Sequence, residues 1–374
     1  MSTRMKPKLL VWLVAACVLG LLVAGCGGGG EDGGKSVNLT ATPMEEIWPA
    51  EDWEVSTPKD QGMDSARLAA VADYVERVSG GGVMIVRHGR LVWEDYWGGW
   101  TKDSIDIGYS MAKSFTSALV GIAIAEGHIE GVDQSAADFV EEWRGTDKEK
   151  ITLRHLLTLT SGLDWQEGYS GVNDVTTMAT SEDHVAHVLA RPLAAEPGTR
   201  FLYSTGDPEV FSRILLVATG KEAEDYAREK IFDVIGMTKV TWLKDPKGHT
   251  TTYCCVNTTA REYARFGYLY LRGGRWEEKQ VVPAEWVEES TQAYEEVSPS
   301  HGYGFLWHVP TFADVPSKVF NAEGIKTKYI YVLPDPDIVA VRLGEEDTDW
   351  DGNTFLGLIA KAVTDADQKG SENE

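Results

Sequence analysis

Twelve consecutive residues, Ser114 to Ala125, carry no charge, and the residue just before them is a lysine. A helix without a polar face must be enclosed on all sides, so this run requires a fold large enough to surround it. The spacing predicts an apolar helix from about Ser110 to Ala125, closed by Gly127. Ser110-Met111-Ala112-Lys113 stands at its start. Residues three apart share a helix face, so the Lys113 amine can reach the Ser110 hydroxyl. Desolvation at the edge of an enclosed helix favours the neutral amine. A neutral amine beside a hydroxyl can activate a serine nucleophile, and a helix N-terminus stabilises the negative charge that develops. The same four residues also describe a Ser N-cap followed by a Lys that extends to solvent. Ser-x-x-Lys alone does not separate the two.

The composition can supply the enclosure. Of 374 residues, 43% are apolar and 10% aromatic, which excludes a disordered chain. The formal charge of −23 argues against nucleic acid, which needs clustered Lys and Arg, and against electrostatic docking on anionic lipid.

The chain opens with Arg4, Lys6 and Lys8, then an uncharged apolar run from Leu9 to Ala24. This pattern is that of a secretory signal. Its end, Leu22-Val23-Ala24-Gly25-Cys26, resembles the lipobox of bacterial lipoproteins. That resemblance implies a signal over 1–25, lipidation of Cys26, and an exported chain tied to the cell envelope by its lipid. The glycine-rich stretch from Gly27 to Gly34 fits a flexible tether over 26–45. A folded domain is expected over 46–364, with a polar, disordered tail over 365–374. Cys254 and Cys255 are adjacent. An oxidising compartment permits a disulfide between them, but adjacent cysteines seldom reach that geometry, so two buried thiols are expected. There is no CxxC, no HExxH and no complete ligand set, so no metal site is expected. His184 and His187 read as surface residues on one helix face.

Helical spacing runs through Leu68, Val71, Ala72, Val75 and Val78 after an Asp64 N-cap. Val83–Val86 and Leu91–Trp97 read as strands around His88-Gly89. Val319-Phe320, Tyr329–Leu333 and Ile338–Leu343 read as further strands, the last two joined at Asp335-Pro336-Asp337. Asn353 could cap a final helix, Thr354–Val363. Both ends of the domain thus supply strands and a flanking helix, while about 128–290 is mainly helical. The economical architecture is an α+β fold: an antiparallel sheet flanked by helices, with a mainly helical inserted subdomain.

Five segments in order carry a wider resemblance. Tyr109-Ser110-Met111-Ala112-Lys113-Ser114-Phe115-Thr116 resembles the nucleophile segment of the penicillin-recognising serine hydrolases. That superfamily includes class C β-lactamases, D-alanyl-D-alanine carboxypeptidases, esterases and 6-aminohexanoate-dimer hydrolases. Ile151–Leu163 resembles its "LLT-TSGL" signature, Phe201-Leu202-Tyr203-Ser204-Thr205 its Tyr motif, Thr259–Gly267 its "TARDLARFG" helix, and Tyr303–Trp307 its "YGYGW" strand. The likeness covers roughly 58–363 and implies a β-lactamase/transpeptidase-like fold. It implies Ser110 as the acylated nucleophile, Lys113 as its proton acceptor, and Tyr203 as a second basic group, a phenolate or part of a proton relay. Thr205 stands where relatives carry an Asn that orients the substrate amide.

Relatives also carry Lys-Thr-Gly or His-x-Gly on an edge strand of the site. Family spacing back from Pro334 lands on Gly324, making the motif Ala322-Glu323-Gly324 followed by Ile325. The uncharged residue and Gly-Ile pair are similar to those of the 6-aminohexanoate-dimer hydrolases. The resemblance then assigns the oxyanion hole to the amides of Ser110 and Ile325. The alternative register takes Lys326 and Thr327 as the motif. With Ala322 and Glu323 in place of a cation, the carboxylate anchor of penicillin-binding relatives is missing. Weak or no β-lactamase activity and an uncharged or cationic amide or ester substrate follow. Trp165, Tyr169, Asp174, Thr205 and Gly324 are the expected substrate contacts, although the acidic loop over 164–174 also fits a solvated surface.

The expected function is therefore a serine hydrolase that needs no cofactor and acts on a small-molecule amide or ester. A cell-wall D-alanyl-D-alanine carboxypeptidase or β-lactamase is the alternative within the family. A non-catalytic surface-binding lipoprotein is the alternative outside it. No GxSxG elbow is present, and the eight histidines offer no evident partner for a Ser-His-Asp triad.

Overall fold

The computed structural model describes residues 46–78, 80–294, 302–345 and 349–364. The expected signal, Cys26, the tether and the tail lie outside these residues.

Helix α1, Ser65–Val78, starts where Asp64 Oδ1 accepts from the Ala66 and Arg67 amides, the expected cap. Strands β1 (Gly82–Arg87) and β2 (Arg90–Tyr96) form a hairpin whose two turn residues, His88 and Gly89, both have positive φ. That backbone matches the twist of the strands it joins. The short strand β3 (Asp106–Ile107) leads to a 3-10 turn, Tyr109–Met111, and then to helix α2, Ala112–Ala125. Every α2 residue from Ala112 to Ala123 is buried, as an uncharged helix requires. Ser110 thus sits on the entry turn, and its side chain caps no helical amide.

Several short helices follow, then α3, Gly206–Thr219. Strands β4 (Thr241–Trp242) and β5 (Val256–Thr258) pair with β3 in the order β3–β5–β4. Helix α4, Ala260–Leu271, falls inside the span expected to be the helical insertion but belongs with the sheet. Its Gly267 lies so close to Ile330 and Val339 that a Cβ there would come within 2.7 Å of each. Strands β6 (Phe320–Gly324), β7 (Lys328–Leu333) and β8 (Ile338–Leu343) complete the main sheet. The last helix, α5 (Gly352–Ala362), is capped by Asp351, whose carboxylate accepts from the Asn353 and Thr354 amides. The expected Asn353 cap is displaced by two residues because Gly352 already has helical backbone.

The main sheet runs β2–β1–β8–β7–β6, antiparallel throughout. Its central pair joins the two ends of the domain, with Met84 opposite Val341. Alternate side chains divide between two cores. Val83 and Ile85 pack with α1 and α5, while Met84 and Val86 pack with the core that encloses α2.

Candidate active site

The entry turn of α2 and the free end of β6 meet at a cleft. Tyr109 has φ +46, a costly conformation for a non-glycine residue, and it launches the turn that carries Ser110. Lys113, one turn on and 2% exposed, donates to Ser110 Oγ at 2.8 Å and to the Tyr253 carbonyl at 3.0 Å. Burial lowers the Lys113 pKa to about 8; the nearby carboxyl groups of Glu167 and Glu209 work against that shift. About a tenth of the lysines are then neutral at pH 7, far more than at the ordinary pKa, in the direction that an enclosed helix predicts.

Tyr203 closes the group. Its ring centroid is 5.3 Å from Lys113 Nζ, and it lines the same cleft as Ser110. Burial raises the Tyr203 pKa, and Glu167 and Glu323 raise it further, against the lowering by Ser110. That environment holds a protonated phenol. The phenolate considered from sequence is not what these surroundings favour, because burial with the nearby Glu167 and Glu323 outweighs the lowering by Ser110; the relay alternative fits them.

Gly324 ends β6 against the nucleophile turn. A Cβ there would come within 2.2 Å of the Gly108 carbonyl oxygen and 3.4 Å of the Ser110 amide nitrogen. Only glycine allows this approach, which sets Ile325 beside Ser110. Lys326 and Thr327, both with positive φ, form the turn into β7, where Gly324 pairs with Lys328. The backbone next to the serine is thus Gly324-Ile325, while Lys326 is exposed at the mouth, 6.0 Å from the Tyr109 ring.

The cleft, of about 560 Å³, is lined by Ser110, Tyr169, Tyr203, His308, Glu323 and the segment 324–327 with Tyr329. Among the expected substrate contacts, Tyr169 and Gly324 line it. Trp165, Asp174 and Thr205 do not. Trp165 is buried against Gly206, where a Cβ would come within 2.8 Å of its ring. Asp174 accepts from the Gln166 amide and pairs with Arg191 at 3.0 Å. The Thr205 amide and hydroxyl both donate to Glu167. In each case the side chain is committed to holding loops together.

The part that Glu167 plays behind the cleft was missed. Its carboxylate also accepts from Trp165 Nε1 at 2.7 Å and the Tyr169 hydroxyl at 2.9 Å, tying the acidic loop to the Tyr203 segment. No local signal marks it among its acidic neighbours. His308 was missed as well. It follows the Tyr303–Trp307 segment, exchanges backbone hydrogen bonds with Asn321, and lies with Nδ1 3.7 Å from Glu323. Burial lowers its pKa, Glu323 opposes that, and Lys113 adds to the lowering. Its position directly after that segment was the available signal.

Two further expectations change. His184 is buried, its ring 5.9 Å from that of Tyr253, and is no surface residue. His187 is only partly exposed and sits 3.6 Å from Asp174. Cys254 and Cys255 are joined as a disulfide rather than left as two thiols. The positive φ of Cys255, +79°, turns the backbone so that neighbouring side chains can meet. Among the described residues, no group of three His, Cys, Asp or Glu side chains is arranged to hold a metal ion.

Comparison with known proteins identifies the family and the fold. The family model for Beta-lactamase matches residues 68–360. An uncharacterized protein of Alkalihalophilus pseudofirmus is 26% identical, over 76% of this chain and 89% of its own. The 6-aminohexanoate-dimer hydrolase of Paenarthrobacter ureafaciens is 23% identical, over 60% of each chain. A solved Bacillus anthracis structure, provisionally assigned as a 6-aminohexanoate-dimer hydrolase, superposes with a TM-score of 0.70 at 22% identity, covering 87% of this chain and 89% of the other.

Proposed function

The chain belongs to the beta-lactamase family, a family of serine hydrolases, and from that premise we propose that it cleaves an amide or ester bond through an acyl-enzyme on Ser110. The observation that carries this reading is the 2.8 Å contact between a buried, weakened ammonium and the Ser110 hydroxyl. Neutral Lys113 takes the Ser110 proton as Oγ attacks the substrate carbonyl. The amides of Ser110 and Ile325 hold the oxygen on which negative charge develops. Protonated Tyr203 gives its proton to the leaving amine or alcohol and regains one from Lys113. Water then attacks the acyl-enzyme, gives up its proton along the same route, and releases the acid.

The wall around the carbonyl site supports an uncharged or cationic substrate. Ala322 is fully buried and Glu323 faces the cleft, so the strand presents a carboxylate where a cation would greet a substrate carboxylate. One relative is named a 6-aminohexanoate-dimer hydrolase; such a dimer carries an ammonium, which suits an acidic wall, but also a carboxylate, which must lie away from Glu323. A second reading, a D-alanyl-D-alanine carboxypeptidase or β-lactamase, draws on Lys326, which lines the mouth and could meet a substrate carboxylate. A fluorophosphonate probe should label the native protein and not Ser110→Ala. A panel of p-nitrophenyl esters, an aminohexanoate dimer, nitrocefin and a D-Ala-D-Ala peptide then separates the readings. Turnover of the first two alone supports the proposal. Turnover of nitrocefin or the peptide that is lost in Lys326→Ala moves it to the second.

We further propose that the chain is exported and anchored to the membrane through lipid on Cys26, with no other membrane contact. The lipobox-like Leu22–Cys26 and the glycine-rich stretch behind it support this. Radiolabelled palmitate should enter the native chain and not Cys26→Ala.

A further inference from the structure

The disulfide between Cys254 and Cys255 lies beside the catalytic machinery, yet no step above uses it. The Cys255 half and the residue just before the pair contact both halves of the Ser110–Lys113 unit. The Cys255 amide donates to the Tyr109 carbonyl at 3.0 Å, and Tyr109 is the left-handed residue that launches the nucleophile turn. Tyr253, immediately before the pair, supplies the carbonyl that accepts from Lys113 Nζ at 3.0 Å. The segment is pinned again on either side. Trp242 Nε1 donates to the Cys254 carbonyl at 2.8 Å, and the Gly108 amide donates to the Val256 carbonyl at 2.8 Å.

Two left-handed residues, Tyr109 and Cys255, therefore face each other across one hydrogen bond. Each such conformation is unfavourable for a residue with a Cβ and persists only where the surroundings over-determine it. A covalent ring across adjacent residues removes most of the alternatives open to that dipeptide. It closes almost no chain, so it adds little to global stability by loop entropy. What it restricts directly is the peptide that carries the Cys254 carbonyl and the Cys255 amide; the Tyr253 carbonyl is the next group along the chain.

We propose that the Cys254–Cys255 bond is a positioning element for the hydrolytic reaction, holding the Tyr109 turn and the Lys113 amine in register. The activity readout rests on the acyl-enzyme reading above. Reduction by a small dithiol transfers two electrons and two protons to the pair, giving two thiols and a cyclic disulfide of the reagent. The freed dipeptide can leave the left-handed conformation, and both contacts then loosen together.

The test uses the full chain under oxidising conditions, after dithiothreitol, and as the Cys254→Ser, Cys255→Ser double variant. Peptide mass mapping of the segment reports its redox state through a 2 Da difference. Reduction should lower kcat on a neutral p-nitrophenyl ester at least tenfold with KM little changed, leave Tm within a few degrees, and reverse on reoxidation. Hydrogen exchange at the 108–112 and 255 amides should quicken selectively. Two free thiols in the oxidised native protein would overturn the proposal. So would equal kcat and equal exchange in both redox states, or a loss of activity that only follows unfolding. Failure of the oxidised protein to hydrolyse any ester or take the fluorophosphonate would instead count against the acyl-enzyme reading, and the exchange pattern alone would then decide the role of the disulfide.

Discussion

The two sides of the main sheet obey different rules. The side under α1 and α5 is packed with Leu68, Val71, Val75, Ile85, Ala340, Phe355 and Ile359. Its buried cations, Arg87 and Arg342, donate to main-chain carbonyls. The other side encloses α2 and buries Lys113, Asp207 and Glu209 beside Tyr109 in a left-handed conformation. The first side is mainly aliphatic and aromatic and contributes stability, although burial lowers the Arg342 pKa to about 10 there too. The second holds desolvated titratable groups and strained backbone that a chain selected for stability alone would not keep. The proposed chemistry sits on the side with the left-handed Tyr109 and the buried Lys113, supported by the more apolar one.

That contrast can be broken most sharply at Ser110. Ser110→Ala should lower kcat/KM by at least about 10³-fold, on the order of 4 kcal/mol of transition-state stabilisation, with thermal stability unchanged. Ester kinetics beside a thermal melt would show it; a large drop in Tm would mean that the serine is structural. The mirror experiment is Phe355→Ala. This ring is fully buried, 4.9 Å from Trp350 and 5.8 Å from Tyr331. Truncation should cost about 3–5 kcal/mol in chemical denaturation and leave the kinetics of the folded fraction intact.

Lys113 should behave oppositely to Phe355. Its folded pKa, about 8, lies below the ordinary 10.5, so the folded chain binds fewer protons than the unfolded one between those values. Stability therefore rises with pH through that window, and the amine is a liability below it. Lys113→Met should abolish turnover while leaving stability at pH 7 equal or higher by about 1–3 kcal/mol. In the native protein, kcat/KM should climb about tenfold per unit of pH and level near pH 8, where the neutral amine becomes the main form. A flat profile from pH 6 to 9 would remove Lys113 as the base.

Asp207 sharpens the comparison with a smaller effect. Burial raises its pKa to about 7, against hydrogen bonds from Ser161 and Ser204 that lower it. Between its ordinary value near 3.8 and 7, the folded chain holds a proton that the unfolded chain has lost. Stability should fall as pH rises across that range, and Asp207→Asn should flatten the slope in denaturation series at pH 5, 6 and 7. The smallest change is expected at Glu323, which lines the cleft without touching the Ser110–Lys113 pair. Glu323→Gln should alter kcat/KM on a neutral ester by less than about threefold, while raising it on an ester bearing a carboxylate. A loss on the neutral ester would place Glu323 in the catalytic group instead.

Much of this was legible in the chain. The uncharged run demanded an enclosed helix, and the strand runs with a flanking helix at both ends implied an antiparallel sheet covered by helices. Ser110, Lys113 and Tyr203 were readable because short ordered segments fix their local geometry. Glu167 and His308 were not, because their roles come from partners far along the chain. Glu167 reaches Thr205 from 38 residues away, and no periodicity marks such a pair. Trp165, Asp174 and Thr205 were misplaced for the same reason. Proximity in sequence to site residues says nothing about the face on which a side chain emerges from a loop.

The sequence alone determined the elements and their polarity, since propensity, spacing and turn chemistry act over a few residues. It also determined that a serine and a lysine share one turn. Only the tertiary structure decided that Gly324 abuts the Ser110 turn, that the sheet joins β1 to β8, and that Cys254 and Cys255 close a ring beside Lys113. Those outcomes depend on which surfaces meet when the chain collapses, and burial, the agent that moves the Lys113, Tyr203 and Asp207 pKa values, exists only after they have met.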